Sequence, residues 1–170
     1  MRIQFRYLCF LFLCTLWWIL RRWLYMPWFN YYGLVMVFIL MVPNIIFMMK
    51  TKDGFQNAWK NRVAETLEQI GRFSCFTFMI FNIPYTYFGF FFPNALMIYL
   101  IVNGSLLFLY CLIWALCFKK SSVFRSLVLS ILPSLLFIFS GIMIRSILLI
   151  IGSIIFAPCH ILLSYKNIQK

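Results

Sequence analysis

Long apolar segments, separated by short polar or basic segments, dominate the chain. A helix needs about 20 apolar residues to cross the hydrocarbon core of a bilayer, and six segments approach or reach that length. The fold class is therefore predicted to be an all-α, polytopic transmembrane helix bundle, formed by one integral membrane domain over residues 1–170. The six predicted spans are residues 7–25, 31–49, 73–92, 95–118, 123–142 and 146–165.

The first of these segments is the least regular. Its uncharged part runs only from Tyr7 to Leu20, and Arg21 and Arg22 follow. It is either a short, tilted span whose arginines extend to the interface or a segment lying on the membrane surface, which would leave five spans. A cleaved signal peptide fits less well, because no small-residue cleavage site follows the arginines.

Basic residues alternate between the connections of the predicted spans. They are concentrated after the second span, after the fourth span and at the C-terminus, whereas the turns after the third and fifth spans carry only Arg145. Because cytoplasmic loops are enriched in Lys and Arg, six spans would place both termini in the cytoplasm. The small size and the lack of a eukaryotic targeting signal favour a bacterial cytoplasmic membrane. Arg21 and Arg22 depart from the alternation.

The longest polar segment, residues 50–72, has the periodicity of an amphipathic helix. We predict a cytoplasmic helix over residues 54–70, with Asp53 as its N-cap and Gly71 at its C-terminal end. The apolar side chains that recur every three or four residues are Phe55, Trp59, Val63, Leu67 and Ile70.

Two interpretations of this helix remain open. A tryptophan next to basic residues favours contact with membrane lipids at the interface. The same face could instead bind a cytoplasmic or membrane partner subunit. The residues that would make either contact are Phe55, Trp59, Lys60, Arg62 and Leu67.

Composition excludes several classes of protein. Hydrophobic residues make up 65% of the chain and charged residues 11%, whereas a soluble domain is about 25% charged. The net charge of +12 does not predict nucleic-acid binding, because the basic residues flank apolar segments. The six cysteines form no CxxC or Cys/His zinc motif. We expect no metal and no cofactor.

Titratable residues are scarce, which limits the chemistry available. The three acidic residues all belong to the polar segment, and none lies within a predicted span. This placement excludes a carboxylate proton relay or an antiporter with a buried glutamate, both of which need intramembrane acids. His160 is the only histidine. It is interpreted as a structural residue, with a solute ligand and a catalytic base as alternatives, so no catalytic residue is assigned.

Polar side chains share faces on several predicted spans. Those that could line a polar cavity are Asn82, Asn103, Tyr110, Ser130, Ser134, Ser153 and His160. They would either converge on a small, mostly neutral solute or a lipid, or let helices pack closely and hydrogen-bond to one another.

The sequence favours a non-catalytic membrane protein that binds or transports a solute, or that serves as the membrane subunit of a complex. The alternatives are a membrane-embedded enzyme acting on a lipid or prenyl substrate, and a structural, immunity or regulatory membrane protein. Enzymatic activity is left open.

Overall fold

The computed structural model describes residues 28–50, 59–118 and 122–167. These residues form five helices and no strand. The helices are α1 (Tyr31–Lys50), α2 (Arg62–Ile80), α3 (Ala95–Cys117), α4 (Val123–Met143) and α5 (Ile147–Lys166). The first predicted span lies outside the described residues.

Four of these helices, α1, α3, α4 and α5, are long and apolar enough to cross a membrane. They lie where the second, fourth, fifth and sixth spans were predicted. Large apolar side chains cover their outer surfaces, including Phe38 on α1, Phe108 on α3 and Ile154 on α5. A water-soluble protein would hide such surfaces, so the four helices fit an integral membrane protein.

Helix α2 differs most from the prediction. Residues 59–61 are not helical, and the helix begins only where the Asn61 side chain accepts hydrogen bonds from the backbone N–H groups of Val63 and Ala64. The helix then continues through Gly71 to Ile80. The separate amphipathic helix over residues 54–70 is therefore not observed, and residues 51–58 lie outside the described part of the chain.

Close packing explains why Gly71 does not end the helix. A Cβ atom at this position would lie 2.7 Å from the backbone nitrogen of Phe156 on α5. The glycine therefore provides room for α5, and the helical backbone needs no left-handed residue there. Gly71 lies on a buried face made mostly of small residues, whose members are Ala64, Glu68, Gly71, Cys75 and Met79.

The prediction of a span over residues 73–92 is also wrong, because α2 ends at Ile80. The apolar residues that follow form an irregular connection, in which Tyr85 and Gly89 have positive φ angles of 67° and 75°. Arg145 holds this connection in place from the turn between α4 and α5. Its guanidinium donates hydrogen bonds to the carbonyl oxygens of Phe88 and Gly89.

The five helices are arranged in a ring. Their main contacts follow the order α1, α2, α5, α4, α3 and back to α1. The most extensive contact joins α2 and α5, which run antiparallel: Trp59 lies beside Asn167, Glu68 beside His160, and Ser74 beside Gly152. Helix α2 therefore lies alongside α5 over almost its whole length.

Candidate functional site

The ring is open at one end and closed at the other. The C-terminal ends of α1, α3 and α5 and the N-terminal ends of α2 and α4 meet at one end, which we call the basic end because Lys50, Lys60, Arg62, Arg125 and Lys166 lie there. A cavity of about 520 Å³ lies between the helices in this half, lined by residues of all five. Small-molecule sites have volumes of about 300–1,000 Å³.

The cavity extends towards the middle of the ring. On α4 its lining begins at Ser122 and ends at Phe137, which at 1.5 Å per residue corresponds to about 22 Å along the helix. Beyond Phe137, in the half we call the packed half, the helices are in direct contact. Side chains there, such as those of Met79, Tyr99 and Leu149, are fully buried.

One wall of the cavity carries a cluster of three ionisable side chains, Glu68, Arg72 and His160. Glu68 is 3% exposed. The Nδ1 atom of His160 lies 2.9 Å from Glu68 Oε1, and Arg72 donates to the same oxygen from Nε, at 3.0 Å, and from Nη2. A buried carboxylate of this kind needs a positive partner, and Arg72, one helical turn away, supplies it. The cluster joins α2 to α5.

A second positive charge, that of Arg125, stands on α4. Its guanidinium carbon lies 5.2 Å from the ring centre of Phe47 and 4.9 Å from that of Trp114, which is within range of cation–π attraction. Nη1 also donates a 3.3 Å hydrogen bond to the carbonyl oxygen of Phe118. These contacts hold a cation beside an aromatic wall formed by α1 and α3.

Uncharged polar groups also line the cavity. Tyr110 donates a 3.0 Å hydrogen bond to the side-chain oxygen of Asn44, linking α3 to α1. Ser126 donates to the carbonyl oxygen of Ser164 at 3.1 Å, linking α4 to α5. Ser130 also lines the cavity, and its hydroxyl donates to the carbonyl oxygen of Leu127 in its own helix. The lining therefore offers both donors and acceptors.

Three phenylalanines form the floor of the cavity. The Phe137 ring lies 5.8 Å from Phe76 and 5.6 Å from Phe156, measured between centroids. Phe156 in turn stacks on the imidazole of His160 at 4.6 Å. The ionisable cluster is thus in direct contact with the aromatic side chains that separate the cavity from the packed half.

Three of the predicted cavity residues line the cavity, and four do not. Tyr110, Ser130 and His160 line the cavity. The four that do not line the cavity are buried elsewhere in the structure: Asn82, Asn103, Ser134 and Ser153. Asn103 accepts a 3.3 Å hydrogen bond from Ser140, and Ser134 and Ser153 donate to carbonyl oxygens of their own helices.

Four of the five residues predicted to contact a partner or lipid lie in the described part of the chain. Lys60 and Arg62 are exposed at the basic end, and Trp59 precedes α2, where its backbone N–H donates to Asn167. Leu67 is exposed on the outer side of α2. Phe55 lies outside the described residues.

The predicted cavity residues did not include several charged side chains that line the cavity, among them Glu68, Arg72 and Arg125. Because no acid lies within a predicted span, the sequence pattern excluded an antiporter with a buried glutamate. That exclusion does not hold, because Glu68 is buried within the helix ring. The four-residue spacing of Glu68 and Arg72 was recognisable, and so were the small residues that share a face with Glu68. Those small residues were the signal that α2 packs closely against another helix.

In the described part of the chain, no group of three or more His, Cys, Asp or Glu side chains is placed to hold a metal ion. Glu68 and His160 form a pair, and the third member of their cluster is an arginine, which does not ligate cations.

Four helices long and apolar enough to cross a membrane fit an integral membrane protein, and a cavity lies between its helices. Comparison with protein-family models, with curated proteins and with solved structures found no match.

Proposed function

We propose that the chain is a multi-pass membrane protein that binds a small solute in the cavity and carries it across the membrane. The observation that supports this proposal most strongly is the asymmetry of the ring. A cavity lined by both polar and apolar side chains reaches from the basic end to about the middle of the bundle, and close packing fills the other half. Carriers commonly place their substrate near the membrane midplane and open to one side at a time.

Helix α2 would be an additional span in this proposal. It is more polar than its neighbours, but it lies antiparallel along α5, which is long and apolar enough to cross a membrane. Its charged residues Glu68 and Arg72 face the cavity, where intramembrane charges are normally found. Val63, Leu67 and Phe73 are exposed on the outer side of α2, where they would contact lipid.

The basic end would face the cytoplasm, following the excess of Lys and Arg in cytoplasmic loops. A solute would then enter the cavity from the cytoplasm or leave into it. The lining fits a molecule with an apolar body, which the phenylalanine floor would contact. Polar or anionic groups of the solute would meet Arg125, Tyr110 and Asn44 nearer the opening.

Native mass spectrometry of the protein, extracted from membranes of the expressing cells in mild detergent, tests this proposal. The sample is incubated with the small-molecule extract of the same cells, and bound masses are recorded. Ser130→Leu should sharply reduce the bound fraction, because the larger side chain enters the cavity. Ser105→Leu is the matched control, because Ser105 is exposed on α3 and outside the cavity.

Thermal unfolding of each variant shows whether the fold is retained. A bound solute in the wild type and in Ser105→Leu, but not in folded Ser130→Leu, would support the proposal. No bound solute in the wild type, or equal occupancy in both variants, would contradict it.

A further inference from the structure

Glu68 and His160 form a pair of directly hydrogen-bonded titratable groups inside the helix ring. The Glu68 Oε1 to His160 Nδ1 distance is 2.9 Å, and the two residues come from different helices, 92 positions apart in the chain. Both line the cavity that opens at the basic end. Water that enters this cavity can therefore deliver a proton to the pair.

The charges around the pair make its protonation state consequential. On α2 itself, Arg72 neutralises Glu68, and Glu65 lies one turn nearer the basic end. Cys159 on α5 lies within electrostatic range of Glu68. Across the cavity stand Tyr110 on α3 and Arg125 on α4, and α1 contributes Lys50 at its end. Since Arg72 already balances Glu68, a proton on His160 adds a net positive charge to the wall.

This change of charge would occur next to the cavity floor. The His160 ring stacks on Phe156, which contacts Phe137, and Phe76 completes the group. Protonation of the imidazole therefore alters a side chain that packs directly on the boundary between the cavity and the packed half. Interactions that differ between two states are what allow one ligand to influence another.

We propose that Glu68 and His160 form a proton-binding site in the cavity wall, which couples the binding of a solute to the binding of a proton. This inference rests on the proposed function as far as the solute is concerned. The proton site itself is a property of the pair and can be measured without any solute.

The chain is well suited to a direct measurement, because it contains a single histidine. Protein labelled with ¹⁵N-histidine and placed in lipid nanodiscs gives the signals of one imidazole, whose two ring nitrogens report both tautomer and protonation. The spectra are recorded between about pH 5 and pH 8, where histidine charge changes normally occur. The probe is the proton alone.

The proposal expects the imidazole to change protonation state within this range in the wild type. Glu68→Gln should change the midpoint of that transition, because the imidazolium loses the negative charge beside it. Glu65→Gln is the matched control. It removes the same charge from the same helix and the same cavity lining, but one helical turn away from Glu68, so it should move the midpoint less than Glu68→Gln does.

A purely structural pair behaves differently. An imidazole that keeps one protonation state throughout the range, or that titrates identically in the wild type and in Glu68→Gln, would overturn the proposal. An equal shift in Glu65→Gln would also overturn it, since the effect would then be one of general charge. If Glu68→Gln does not fold, the proposal is tested with the wild type and with Glu68→Asp, which keeps the negative charge. The His160 imidazole should change protonation state in both proteins.

The same preparation separates this inference from the proposed function. If the imidazole titrates with Glu68 while native mass spectrometry finds no cavity ligand, the proton site stands and the carrier proposal fails. If a ligand binds in the cavity but the imidazole does not respond to Glu68, the carrier proposal stands without a proton site. If both are present, the bound fraction should change between pH 5 and pH 8 in the wild type and much less in Glu68→Gln.

Discussion

The two halves of the bundle are built from the same five helices but differ in how closely those helices approach. In the packed half, glycines stand at the contacts: Gly33 faces Met79, Gly141 faces Ile150, and Gly152 faces Ser74. In the half near the basic end, the helices are separated by larger side chains such as Arg72, Trp114 and Arg125. Close packing of small residues drives helix association where no hydrophobic effect acts between helices.

Hydrogen bonds between helices occur in both halves. In the packed half, Ser153 donates within its own helix, whereas Ser140 on α4 donates to Asn103 on α3. Around the cavity, Tyr110 bonds to Asn44 and His160 to Glu68 between helices, whereas Ser130 donates within its own helix. The two halves therefore differ in how closely the helices approach, and the polar groups of the cavity half lie beside open space.

The largest effect should come from adding one methyl group in the packed half. A Cβ at Gly33 would lie 2.0 Å from the carbonyl oxygen of Met79, so Gly33→Ala must separate α1 from α2 and should cost about 3 kcal/mol or more of unfolding free energy. Gly71→Ala, at 2.7 Å from backbone, should cost less. Gly104→Ala has open space around it and should be neutral or stabilising.

Chemical or thermal unfolding in detergent measures this series. Equal stability of Gly33→Ala and Gly104→Ala would contradict the close contacts that define the packed half.

The next largest difference in unfolding free energy between the two halves should come from replacing a serine with leucine. Ser153 is fully buried and does not line the cavity, so Ser153→Leu overpacks the bundle and should cost about 1–3 kcal/mol. Ser130→Leu projects into the cavity and should cost less. Comparison of the two unfolding curves is the measurement, and an equal or larger loss in Ser130→Leu would mean that the cavity cannot receive the side chain.

The contact between Glu68 and His160 should appear as coupling between mutations. A double-mutant cycle with Glu68→Gln and His160→Asn should give an interaction of about 1 kcal/mol in unfolding free energy, since contacting groups couple by roughly 0.5–3 kcal/mol. The cycle with Glu65→Gln and His160→Asn serves as control and should be additive. Additivity in both cycles would indicate that α2 and α5 are not joined through this pair.

The smallest effect is expected at Asn103 in the packed half. Asn103→Leu removes one hydrogen bond from Ser140, and such bonds average about 0.6 kcal/mol in membrane bundles. It also removes a buried amide nitrogen that has no hydrogen-bond partner among the described residues. Stability should therefore change by less than about 1 kcal/mol, and native mass spectrometry should find the same bound fraction as in the wild type. Loss of the solute would mean that the cavity extends into the packed half.

The sequence could predict α1, α3, α4 and α5 because uninterrupted apolar segments of membrane-spanning length have few alternatives. It could not predict α2, because the residues of this one helix change from mostly polar to mostly apolar near Gly71. The pattern therefore predicted two separate elements. Apolar residues also misled the prediction after Ile80, where Pro84 and the positive φ angles of Tyr85 and Gly89 prevent a helix.

The candidate site was predictable only in part. Tyr110, Ser130 and His160 are polar residues on apolar helices, and such residues usually face the interior. The small residues that share a face with Glu68 signal a close helix contact, but they do not show that its partner is His160, far away in the chain. Single-sequence patterns contain no signal for a contact of that kind.

The cavity that opens at the basic end is central to the proposed function, and cysteine accessibility tests its exposure to water directly. Single cysteines are placed at Ser126 in the cavity wall, Ser153 in the packed half and Ser105 on the outer surface, in a background without other reactive cysteines. A membrane-impermeant maleimide is applied to sealed vesicles of either orientation. The account predicts that Ser126→Cys reacts from the basic side only, and that the other two react from neither side. An unreactive Ser126→Cys, or one labelled from the opposite side, would contradict it.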